Sequence, residues 1–95
     1  PQTDGNTILL KFPELTAERR KDLVKMISEI SEKFKVSIRN LRRKYIDSVK
    51  DLEKEKSISI DESKKNQDEV QKSTDNSISD IDKLAKQKEN EILKV

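Results

Sequence analysis

The chain has 95 residues, with 21 Lys and Arg against 19 Asp and Glu; 42% are charged, 31% hydrophobic, and only Phe12, Phe34 and Tyr45 are aromatic. So few apolar side chains cannot fill a β-sandwich or a doubly wound α/β core, and one Gly and two Pro give little to punctuate strands with tight turns. The absence of Cys and His excludes disulfides, a Cys/His zinc site, a thiol nucleophile and an imidazole base. The longest apolar run, Ile8-Leu9-Leu10, falls far short of the roughly 18–20 residues that span a bilayer. No signal-peptide pattern is present; a start at Pro1 leaves a removed transit peptide open. Long, charged helix is what remains.

Residues 1–15 begin with turn-type residues, Asp4-Gly5-Asn6, followed by a β-like run from Thr7 to Phe12 that Pro13 closes. A lone strand needs pairing partners, so this piece is either a strand whose neighbours lie elsewhere or a frayed tail. Residues 16–56 read as one helix, with Thr16 as N-cap and Glu18 in the first turn, where negative charge suits the dipole. Its apolar positions are Leu23, Ile27, Ile30, Phe34, Ile38, Leu41, Tyr45, Val49 and Leu52. Their mean spacing of about 3.6 fits a straight bundle helix better than a heptad coiled coil. Residues 57–59 are the expected turn, because Ser59-Ile60-Asp61-Glu62 matches a capping box. Residues 60–94 read as a second helix with a thinner stripe: Val70, Thr74, Ile78, Ile81, Ala85, Lys88 and Ile92. The pairs Asp61–Lys65, Asp68–Lys72 and Asp82–Lys86 support its exposed faces. A short connection makes the two helices antiparallel, and the fold class is all-α.

The net charge of +2 is unevenly spread. Residues 16–56 hold 13 basic against 8 acidic side chains, residues 57–95 hold 7 against 9, and all five arginines lie in the first helix. The segment 33–44, KFKVSIRNLRRK, has six basic residues and no acid. At 100° per residue with Leu23 at zero, the apolar stripe centres near 25°, and Lys35, Arg39, Arg42 and Arg43 fall between about 100° and 200°. That is one basic ridge beside a stripe on which Phe34, Ile38, Leu41 and Tyr45 face the core. Arginine's planar fork grips phosphate bidentately, so such a ridge suits nucleic-acid backbone without reading sequence. A solvated basic face, or pairing with an acidic helix of a protein partner, accounts for the same residues. Asp and Glu are abundant but show no fixed companion, and Tyr45 belongs to the stripe. No enzyme activity, cofactor or metal is expected.

Three stretches, Leu15-Thr16-Ala17-Glu18-Arg19-Arg20-Lys21-Asp22-Leu23, Ile38-Arg39-Asn40-Leu41-Arg42-Arg43 and Gln67-Asp68-Glu69-Val70-Gln71-Lys72-Ser73-Thr74-Asp75, occur in this order. Together they resemble the C-terminal part of ribosome recycling factor, in register from about Ile8 to Val95. The resemblance implies a three-helix-bundle domain hinged to a small β/α/β domain. It also implies that, with elongation factor G, the protein splits the post-termination ribosome, its bundle lying on large-subunit ribosomal RNA. It places RNA contacts at Arg39, Arg42 and Arg43, beside Lys35 of the same ridge, and a second basic cluster at Arg19, Arg20 and Lys21. It sets the hinge at Phe12, Pro13 and Glu14, so that residues 1–14 belong to the small domain and 15–95 to the bundle. The family's chain is about twice this length, so a fragment lacking the first bundle helix is expected. A wide stripe facing a thin one then predicts self-association of the fragment into an antiparallel four-helix arrangement, as a homodimer or higher homo-oligomer. The compartment is the bacterial cytoplasm or an organelle, either plastid or mitochondrion.

Overall fold

A computed structural model describes residues 15–94. Two helices make up this region: α1, Ala17–Lys54, and α2, Ile60–Leu93. The expected strand at 7–12, the hinge at 12–14 and the small-domain remnant at 1–14 lie outside the described residues. Both helix starts are capped by their own sequence. The Thr16 hydroxyl accepts from the Arg19 backbone N–H at 2.9 Å. At α2 the capping box is complete: the Glu62 N–H donates to Ser59 Oγ at 3.0 Å, and the Ser59 N–H donates to Glu62 Oε1 at 3.1 Å.

The end of α1 is closed without glycine. The Ser57 N–H donates to the Leu52 carbonyl at 2.9 Å and the Lys56 N–H to the Glu53 carbonyl at 3.0 Å. This is the Schellman pattern, which puts Lys56 in the left-handed region at φ 62°. A side chain there costs about 1–2 kcal/mol relative to a right-handed residue. The helix therefore stops at Lys54, two residues before the expected boundary.

Residues 55–59 turn the chain back. Lys35 of α1 meets Asp82 and Arg42 meets Gln71, so contacts run in opposite senses along the two helices, as antiparallel packing requires. The molecule measures 69 × 30 × 15 Å, consistent with an α1 of 38 residues rising about 1.5 Å each.

The seam is thinner than the sequence suggests. Val49 is the one buried apolar residue among those described, at 3% exposure. On the α2 side of the seam the two buried residues are small and polar, Ser63 and Thr74, while Val70, Ile78, Ile81, Ala85 and Ile92 are half-buried. Gln67 donates to Ser63 Oγ at 3.0 Å, so that hydroxyl is not stranded. The α1 side of the seam runs through Arg20, Leu23, Val24, Ile27, Ser31, Lys35, Ile38, Arg42, Ile46, Val49 and Glu53. On a helical wheel this row centres near 80°, about 60° round from the middle of the apolar stripe. The expectation that Phe34, Leu41 and Tyr45 face the core is corrected accordingly. Phe34 is 60% exposed and Leu41 66%, and Met26, Ile30, Tyr45 and Leu52 are exposed beside them. Only Ile38 of the four expected residues meets α2. Lys88, expected in the α2 stripe, is exposed and pairs with Glu91 at 3.3 Å.

Candidate nucleic-acid interface

The four ridge residues divide into two pairs. Arg39 and Arg43 project from the open side of α1. The Arg39 side chain is 45% exposed and lies 3.9 Å from Glu32 Oε1. Arg43 is held only by its own helix, donating to Asn40 Oδ1 at 3.3 Å. Lys35 and Arg42 sit at the rim of the seam instead. Lys35 Nζ donates to Asp82 Oδ1 at 2.8 Å and lies 3.4 Å from Glu32 Oε2, which leaves its side chain 17% exposed. Arg42 Nη1 donates to Gln71 Oε1 at 3.0 Å, and Gln71 Nε2 donates in turn to Asp75 Oδ1 at 3.0 Å.

The Lys35 ammonium is held above its ordinary pKa of 10.5, first by the hydrogen bond to Asp82. Partial burial opposes this, and the charges of Asp82 and Glu32 add to the upward shift. Asp82, expected to pair along its own helix with Lys86, reaches across the seam instead.

The secondary cluster does not gather on one side. Arg19, Arg20 and Lys21 are consecutive, so each turns about 100° from the last. Arg20 is half-buried in the seam, while Arg19 and Lys21 are exposed to either side of it. Lys21 instead joins a row that the sequence reading missed. Lys21, Lys25, Arg39, Arg43 and Lys50 are all exposed and fall between about 160° and 200° on the wheel. Lys25 and Lys50 share the angle of this row but stand outside the densest basic run, 33–44. Glu32 and the exposed apolar Val36 interrupt the row on its open side. The row extends about 44 Å along one stiff helix.

Chemically, this face presents guanidinium and ammonium donors along a straight helical support. It is fitted to a string of anions, not to a small molecule. Among the described residues no group of His, Cys, Asp or Glu is gathered as a metal site. No helix there is long and apolar enough to cross a membrane.

Comparison with known proteins gives this face its context. The ribosome recycling factor family profile matches residues 1–93. The chain belongs to the ribosome recycling factor family. It is 55% identical over all 95 residues to the ribosome-recycling factor of Campylobacter hominis and 53% to that of Carboxydothermus hydrogenoformans, covering 51% of each of those proteins. The protein of the same name from Symbiobacterium thermophilum is 48% identical over the same span, again with 51% covered. This recycling-factor chain thus spans about half the length of the curated relatives it matches.

Proposed function

We propose that the open basic face of α1 binds the phosphate backbone of large-subunit ribosomal RNA, and that the protein to which this chain corresponds recycles post-termination ribosomes together with elongation factor G. The observation that carries the reading is the row Lys21, Lys25, Arg39, Arg43 and Lys50, exposed on one side of a stiff helix in a chain of the ribosome recycling factor family. Arg39 and Arg43 supply the bidentate grips, with Arg42 and Lys35 at the inner edge of the same contact. The role is binding and mechanical; the chain's own side chains carry out no covalent step. By itself the chain binds but does not recycle, and it self-associates through the uncovered face of Met26, Ile30, Phe34, Leu41, Tyr45 and Leu52.

The test is co-sedimentation of the chain with bacterial large ribosomal subunits over a salt series. Each neutralised phosphate contributes a slope of about −0.7 to −0.9 in log affinity against log salt. A footprint of about four phosphates predicts a roughly 100-fold loss between about 50 and about 200 mM. Arg39→Glu with Arg43→Glu abolishes binding while helicity is unchanged. Binding that ignores salt, or that survives the double substitution, refutes the interface. The competing reading, a basic face for an acidic protein partner, is supported by Lys35 having an acidic partner across the seam. It predicts that no ribosomal subunit retains the chain at any salt.

A further inference from the structure

The acidic residues Asp61, Asp68, Asp75, Asp82 and Glu89 of α2 recur every seventh position. A strict seven-residue row on a straight helix drifts about 20° per repeat, and here the drift carries it from solvent toward α1. Asp61 and Asp68 are exposed, Asp82 holds Lys35 at 2.8 Å, and Glu89 is half-buried. The groove between the helices at this end is lined by Ser28, Ser31, Glu32, Lys35, Asp82 and Glu89. Asp75 sits one repeat before Asp82 and reaches Arg42 through Gln71, with both links at 3.0 Å. The row therefore runs along the inner margin of the basic face and engages the two ridge residues nearest it.

We propose that this acidic rail confines the phosphate footprint of α1 to its outer edge. Asp82 neutralises Lys35, and Asp75, acting through Gln71, holds Arg42 toward α2. A polyanion on the basic face then meets Arg39 and Arg43 in full but is repelled from the seam by fixed carboxylates. The rail makes the contact narrow and directional, with fewer phosphates engaged than there are basic residues on the ridge. Asp75 and Asp82 are positioning residues here, because they touch the binding side chains and not the RNA. The inference rests on the interface proposed above.

The experiment is a salt series for binding of the chain to bacterial large ribosomal subunits, comparing Asp75→Ala with Asp82→Ala, which removes both accepting oxygens, against a charge-matched control. The control, Glu69→Ala with Asp80→Ala, changes net charge equally but on the side of α2 turned away from the basic face. The rail variant is expected to bind several-fold tighter at low salt. Its slope steepens by about 0.7 to 0.9 for each of Lys35 and Arg42 released to a phosphate, while the control keeps the wild-type slope. Asp75→Ala alone removes the oxygen that accepts from Gln71 Nε2 between exposed side chains; it serves if the double variant loses helicity, and should steepen the slope by one such step. An unchanged slope in the rail variants, or an equal change in the control, overturns the inference. Arg39→Glu with Arg43→Glu is run alongside. Loss of binding there with unchanged rail slopes overturns the rail alone, whereas retained binding there overturns the interface and the rail together.

Discussion

The two helices are similar in length and both rich in charged residues, yet they are opposite in net sign and built for different tasks. α1 concentrates every arginine and most of the large apolar residues; α2 places Ser63, Thr74 and Ala85 on its seam and has five of its nine acids in a heptad row. α2 covers only one flank of α1. α1 is thereby left with three sectors: a seam with α2, an uncovered apolar sector around Phe34 and Leu41, and a basic sector around Arg39 and Arg43. The width of a helix's apolar stripe counts the partners it can take, and the stripe of α1 is wider than α2 alone can bury.

The sharpest way to break this comparison is to place the same charge in two sectors of α1. Val49→Asp puts a carboxylate into the one buried apolar position of the seam and should cost about 3 kcal/mol or more, seen as a large loss of thermal stability. Leu41→Asp, in the uncovered sector, should change monomer stability by no more than about 0.5 kcal/mol while abolishing concentration-dependent sedimentation. Equal destabilisation by both would mean that the sectors are not distinct.

A smaller effect separates the helix ends. Ser59→Ala removes an acceptor from the capping box of α2 and should destabilise by about 1 kcal/mol in chemical denaturation. Lys56→Gly should stabilise by about 0.5–1 kcal/mol, since glycine adopts φ 62° without the Cβ penalty and offsets only part of that gain by its greater unfolded-state freedom.

The smallest effect is the pH dependence of the Lys35–Asp82 pair. The folded pKa of Lys35 is raised above 10.5, so the pair contributes fully below that pH and its contribution is lost as pH rises through the folded value. Thermal melts into the alkaline range should show this decline, and Lys35→Gln should flatten it. A decline of equal size in Lys35→Gln would assign it to other groups.

How much of this was legible beforehand follows from what a single-helix pattern contains. The 3.6 spacing from Leu23 to Leu52 and the Ser59–Glu62 box gave two capped helices and the turn between them, because those signals are local. The docking angle of α2 is not local. A wheel drawn for α1 cannot say that the partner centres near 80° instead of 25°, and from that one shift came the misplacement of Phe34, Leu41 and Tyr45. The same shift brought Ile46 into the seam and Lys35 and Arg42 to its rim. The closure of α1 by Lys56 was equally hidden, since the hydrogen bonds of the turn, not the residue type, set its backbone. Of the interface, Arg39 and Arg43 were readable from density of charge; Lys25 and Lys50 required following the same angle along the whole helix.

In the function proposed for this chain, position on α1, and not overall basicity, makes the contact with ribosomal RNA. The direct measurement compares two variants of equal charge for binding to bacterial large ribosomal subunits at fixed salt: Arg39→Glu with Arg43→Glu on α1, and Lys72→Glu with Lys83→Glu on the exposed face of α2. Loss of binding in the first with retention in the second is the predicted result. Equal losses in both, or retention in the first, would contradict the account.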